Sequence, residues 1–171
     1  RGSVQMQSKG RVLIIAPWNY PLSLCMGPLV SALAAGNTVI LKPSEMTPAV
    51  SGVMAKIVNE VFAKHEVALF EGALETSQTL LALPFDHIFF TGSPAVGKVV
   101  MTAAAKHLCS VTLELGGKSP TIVDASAEIA MTAQSVMWGK FINNGQTCIA
   151  PDYVYVHESV KSEFLQACKT A

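Results

Sequence analysis

The sequence is short of charge, of long apolar runs and of paired cysteines, and each shortage removes a class of protein. Charged residues make up 14% of the 171 positions, 12 basic against 12 acidic, so neither a disordered charged tail nor a strongly electrostatic partner is expected. A nucleic-acid partner is not expected either. Apolar stretches such as 12–17 (VLIIAP) and 38–41 (TVIL) fall well short of the roughly 18 residues that mark a membrane span. The four cysteines, Cys25, Cys109, Cys148 and Cys168, include no C-x-x-C pair and no histidine spacing that suits zinc. No metal site is expected, and free thiols point to a reducing, cytoplasmic setting in which one cysteine can act as a nucleophile. The opening residues, RGSVQMQSKG, lack an initiator Met and the apolar segment of a secretory signal, and the closing ones, EFLQACKTA, stop within a helical pattern. Both ends read as cut from a longer chain.

What is present is apolar. Half the residues are hydrophobic, enough for one full domain and part of another. Short unalternating runs at 11–16, 38–42, 67–70, 87–91 and 110–115 read as strands, separated by helical patterns at 21–35, 48–64, 75–83 and 94–109. Strands without polar alternation, separated by helices, belong to a parallel sheet covered on both faces, so the spacing predicts a doubly wound α/β fold. Such sheets bind ligands beyond the carboxyl ends of their strands. Those ends run into PWN (17–19), KPSE (42–45), EGA (71–73), TGS (91–93) and ELGG (114–117), gathering glycine, proline and polar residues on one edge. After Gly117 the rhythm changes to a longer helix over 126–141, a polar NNGQTC loop, a strand over 153–157 and a helix over 159–170. The expected domains are 1–117 and 118–171, the second being the start of another α/β domain.

The stretch FFTGSPAVGKVV (89–100) sets Gly92, Gly97 and Lys98 at the spacing of a nucleoside-triphosphate loop, but Val99 stands where a Ser or Thr would hold magnesium. Ser93 and Pro94 read instead as a helix N-cap and first helical residue, which starts the helix before Gly97 and leaves no open phosphate ring. The G-x-G-x-x-G fingerprint is absent as well. What remains is a helix N-terminus directly after a strand, with Gly92 permitting close approach and Ser93 offering a hydroxyl. It is either a plain capped helix or a seat for a pyrophosphate.

Cys148 stands apart from the other three cysteines, which lie in helical patterns. It follows Gly145, Gln146 and Thr147 in a polar loop that leaves the sulfur and backbone N–H groups accessible. A small buried hydrophobe is the plainer reading of a lone Cys. Two strand ends carry what a nucleophilic thiol would use. Glu114 ends a strand among apolar neighbours that would suit it as a base, and Asn19 ends another, where its amide could donate to an oxyanion. A solvated strand end and a turn residue are their plainer readings.

In this order and at these separations, PWNYP (17–21), KPSE (42–45), FTGSPAVG (90–97), LELGGKSP (113–120) and GQTC (145–148) resemble the aldehyde dehydrogenase superfamily. The resemblance runs from about Gly10 to the last residue and looks most like the class 3 and coniferyl aldehyde branch. It implies a Rossmann-like NAD(P)-binding domain followed by the first part of a catalytic domain. It also implies an oxidoreductase that converts an aldehyde to a carboxylic acid. Cys148 would be the nucleophile, forming a thiohemiacetal and then a thioester; Asn19 and the Cys148 backbone N–H would hold the oxyanion. Glu114 would activate the hydrolytic water.

By the same resemblance Pro17 and Trp18 line the cofactor groove, and Lys42, Ser44 and Glu45 lie at the adenosine ribose. Gly92, Ser93, Val96 and Gly97 form the pyrophosphate turn, and Leu115 and Gly116 complete the cofactor set. A carboxylate at Glu45 favours NAD over NADP, with Lys42 softening the preference. Lys118 orients neighbours, and the four histidines are structural. A small-molecule aldehyde partner, a homo-oligomer in the full-length protein and little activity in this chain alone are further implications. A coenzyme A-acylating member and a non-catalytic NAD-binding member stay open as alternatives, Glu114 weighing against the first and intact Cys148, Glu114 and Asn19 against the second.

Overall fold

The computed structural model describes residues 2–171, which form two compact units, one ending at Leu115 and the other running Gly116–Ala171. The first unit carries five strands: β1 (Arg11–Ile15), β2 (Thr38–Lys42), β3 (Val67–Leu69), β4 (His87–Thr91) and β5 (Ser110–Glu114). They lie in the order β3-β2-β1-β4-β5, and every neighbouring pair is parallel. Helices α1 (Ser23–Ala34), α2 (Pro48–Val61), α3 (Leu74–Leu81) and α4 (Pro94–Ala105) make the crossovers.

Both faces of β1 are buried from Val12 to Ile15, and those four residues are all apolar. Val12 and Ile14 pack with Val39, Leu41, Leu29 and Met54, on the side of α1 and α2. Leu13 and Ile15 pack with Ile88, Phe90, Leu80 and Val100, on the side of α3 and α4. The doubly wound α/β expectation is met. At the amino ends of β1 and β4, the Arg11 guanidinium holds the Asp86 carboxylate in a two-pronged pair at 2.9 and 3.1 Å.

In the second unit β6 (Thr121–Val123) pairs in parallel with β7 (Val154–Val156), beside α5 (Ile129–Phe141) and α6 (Lys161–Cys168). Val123, Ile129, Ala133 and Phe164 form its core. Among the described residues no helix is long and apolar enough to cross a membrane.

Several bounds differ from the sequence reading, each for a local reason. Helix α4 stops at Ala105 because Leu108 takes a left-handed backbone (φ 52°) and the Cys109 N–H turns back to the Ala104 carbonyl at 3.0 Å. Cys109 therefore lies in the link before β5 and not in a helix, unlike Cys25 in α1 and Cys168 in α6. Helix α5 starts at Ile129 and not at Ser126, whose N–H and hydroxyl both bond to the Asp124 carboxylate in a turn. The Glu128 side chain then caps α5 by accepting from the Met131 N–H at 2.7 Å. Strand β6 was not anticipated: its three residues carry no period, and its order comes from pairing with β7.

Candidate functional site

In the first unit the strand order runs outward from β1 to β2 and β3, and the other way from β4 to β5. Such a reversal leaves a crevice beyond the carboxyl ends of the two central strands. Pro17, Trp18 and Asn19 follow β1 directly, and Gly92 and Ser93 follow β4. Lys42, Ser44 and Glu45 stand at the end of β2, and Glu114 and Leu115 at the end of β5. Parallel pairing thus brings residues from four distant stretches to one edge of the sheet.

Helix α4 begins as its sequence requires. Ser93 is extended (φ −79°, ψ 151°), its Oγ accepts from the Val96 N–H at 3.3 Å, and Pro94 takes the first helical position. Gly97 is buried inside the helix, and a Cβ there would lie 3.1 Å from Leu115 Cδ2, so this glycine lets α4 close on the end of β5. A Cβ at Gly92 would come within 2.5 Å of the Phe90 ring, and the Gly92 N–H donates to the Glu114 carbonyl at 2.9 Å. Both glycines are thus set by packing. The triphosphate-loop spacing of Gly92, Gly97 and Lys98 has no open ring behind it.

Lys42 is 3% exposed, and its ammonium lies 2.8 Å from Oε2 of the exposed Glu45. A cation so far from water needs such a partner. The hydrogen bond from Lys42 in turn holds the Glu45 carboxyl below its ordinary range. Ser44 is buried; its hydroxyl accepts from the Met46 N–H at 3.2 Å and its carbonyl from the Ser51 hydroxyl at 3.1 Å. Trp18 and Val96 are exposed, whereas Pro17, Asn19 and Leu115 are half-buried. Glu114 is exposed as well. Its apolar neighbours in sequence, Leu113 and Leu115, do not bury it within this chain.

The second unit holds Cys148, which is exposed in the loop between α5 and β7. Cys25 is buried, its thiol pushed up to about 11 by desolvation, and Cys109 and Cys168 are half-buried. Asn143 (φ 51°), Asn144 (φ 54°) and Gly145 (φ 73°) enter the loop in three successive left-handed conformations. Asn and Gly are the residues that tolerate this region. The Gln146 backbone N–H and side-chain amide both donate to the Asn143 carbonyl, at 3.1 and 2.9 Å. A turn closed by the Ala150 N–H on the Thr147 carbonyl then carries Cys148 and Ile149 at its corners.

A Cβ at Gly117 would lie 2.7 Å from the Cys148 carbonyl oxygen, so this glycine admits the backbone of the Cys148 loop. In the sequence Gly117 stands out as the end of ELGG and the expected domain boundary, with nothing to announce this contact. Asp152, which no sequence motif marks, receives both Lys118 and Lys140. The adjacent Gly116 is exposed, with open space where a Cβ would stand. Of the expected catalytic residues, Asn19 and Glu114 belong to the first unit and Cys148 to the second.

Residues 1–171 match the model of the Aldehyde dehydrogenase family. The chain is similar to the 4,4'-diaponeurosporen-aldehyde dehydrogenase of Staphylococcus aureus, 52% identical over 96% of this chain and 36% of that protein. It is also similar to human aldehyde dehydrogenase family 3 member B1, 48% identical over 98% of this chain and 36% of that protein. Among solved structures, the substrate-bound state of Staphylococcus aureus AldH matches with a TM-score of 0.92 at 52% identity, over 96% of this chain and 36% of that one. The Mycobacterium tuberculosis aldehyde dehydrogenase complexed with NAD+ matches at 0.89 and 33%, over 95% of this chain and 34% of that one. The chain spans a little over a third of the length of these relatives.

Proposed function

The chain belongs to the aldehyde dehydrogenase family, and from that membership we propose that it supplies the cofactor-binding domain and the nucleophile of an NAD(P)-dependent enzyme oxidising an aldehyde to a carboxylic acid. The observation that carries the reading is the exposure of Cys148 on a loop turn, while the other three cysteines are buried or half-buried. In this reading the first unit binds the dinucleotide and the second begins the catalytic domain.

The residues at the strand ends fit a dinucleotide. The N-terminus of α4, capped by Ser93, favours a pyrophosphate, and the exposed Val96 in its first turn and Trp18 after β1 offer apolar surface. Glu45 offers a carboxylate to ribose hydroxyls. That carboxylate would repel a 2′-phosphate, which favours NAD over NADP, and the Lys42 ammonium 2.8 Å from it softens the preference. When bound, the cofactor accepts hydride from the substrate carbon.

The chain's own residues do the rest. The Cys148 thiolate adds to the aldehyde carbon, and the carbonyl electron pair moves to oxygen, where the Asn19 amide and the Cys148 N–H donate to it. After hydride departs, a thioester remains. Glu114, open to solvent at the end of β5, takes a proton from water as that water adds; the C–S bond then breaks and the acid leaves, returning the thiolate. A base for hydrolysis favours this outcome over transfer to coenzyme A.

The test is NADH formation from a simple aldehyde by the full-length protein. Cys148→Ala is expected to lower it by at least about 10³-fold, in line with loss of other covalent nucleophiles. Turnover retained by that variant would overturn the reading. The 171-residue chain alone is expected to turn over little and still to bind NAD; a flat calorimetric titration at millimolar NAD would count against the cofactor assignment.

A further inference from the structure

Asp152, four residues past Cys148, lies between two lysines of its own unit. Lys118 Nζ is 3.2 Å from Oδ2, and Lys140 Nζ is 3.7 Å from Oδ1, so each carboxylate oxygen has its own ammonium. Two of the three residues flank the Cys148 loop, and the third lies on a segment packed against it. Lys140 is in the last turn of α5, before the loop, and Asp152 follows it. Lys118 follows Gly117, against which the Cys148 carbonyl rests.

The loop between them is costly to hold. Three successive left-handed residues, two of them not glycine, persist only where the surroundings enforce them. A Cβ at Gly145 would lie 3.1 Å from the Lys140 carbonyl, so the loop doubles back tightly on the end of α5. Exposed ion pairs taken singly are weak. Here two share one carboxylate and join both roots of a loop to a third strand of chain, which removes the freedom of the loop ends. Without the carboxylate nothing draws the two ammonium groups together; each turns to solvent, and the tie between the loop roots is lost.

On the reading that Cys148 is the nucleophile, we propose that Asp152 is a positioning residue which, through Lys118 and Lys140, clamps the Cys148 loop and so sets the orientation of its sulfur and backbone N–H. Amide hydrogen exchange of the 171-residue chain, followed in peptides covering 143–150, tests it. Asp152→Asn is expected to speed exchange there by about fivefold, Lys118→Met by about twofold, and Asp152→Glu to restore it to within about twofold of the native rate. Exchange in Asp152→Asn within twofold of native, or Asp152→Glu as fast as Asp152→Asn, would overturn the clamp. Should Asp152→Asn open the whole unit, Lys118→Met decides: a rise confined to 143–150 supports the clamp, and none overturns it. Dehydrogenase activity surviving in Cys148→Ala would instead remove the nucleophile reading, and the exchange result would still decide whether Asp152 orders the loop.

Discussion

In the first unit the candidate residues stand just past the ends of parallel strands, where ladder hydrogen bonds and two packed faces fix the backbone. In the second, Cys148 stands on a turn entered through three left-handed residues and bounded by Asp152 with its two lysines. The first arrangement spreads its support over two apolar clusters, one on each face of the sheet. The second concentrates it in a few groups. In the proposed function the first unit holds an extended dinucleotide through many contacts, whereas Cys148 has to keep one sulfur in one place, and a strained loop provides this only while its ties hold.

The largest effect belongs to the scaffold. Leu13 is fully buried in the middle of β1, so Leu13→Ala should lower the unfolding free energy by about 2–5 kcal/mol, read from urea denaturation. A loss well under about 1 kcal/mol would mean that the sheet is not what holds the strand ends. Next is the strained loop. Asn144→Ala should cost about 1–2 kcal/mol because alanine lacks the polar side chain that eases a left-handed backbone, while Asn144→Gly should be tolerated. Equal melting temperatures for the two variants would remove backbone strain from the comparison.

Ser93→Ala should cost about 1 kcal/mol by freeing the Val96 N–H from its cap, measured by thermal unfolding. The smallest effect is electrostatic and lies at the far edge of the sheet. The hydrogen bond from Arg11 holds the Asp86 carboxyl at about 2, below its ordinary 3.8. The sign follows from linkage: the pair contributes its stability above about pH 3.8 and loses it as pH falls through about 2. Asp86→Asn should therefore flatten the stability profile between those limits, and an unchanged acid limb would show that the exposed pair is screened.

Legibility in the sequence followed the range of the forces. Strands β2 and β4 were bounded correctly from their apolar runs, and the start of α4 from Ser93 and Pro94, since these signals act within a few residues. The end of α4 was overrun because the left-handed turn at Leu108 carries no glycine to announce it. Glu114 was expected among apolar groups, but neighbours in sequence are not neighbours in space at a strand end, and its side chain is exposed. The lysines of Asp152 escaped notice because they lie 34 and 12 positions away and no periodicity joins them.

By itself, then, the sequence determined the alternation of strands and helices, the capped start of α4 and the motifs that mark the family, because hydrophobic period, capping and proline geometry are local. Only the tertiary structure decided that β1 and β4 lie side by side at the reversal of the sheet. The same holds for Gly97 and Gly117 serving packing and for one carboxylate tying both roots of the Cys148 loop. Those outcomes rest on parallel pairing and side-chain contact between remote residues, whose closure entropy is repaid only when the whole unit forms.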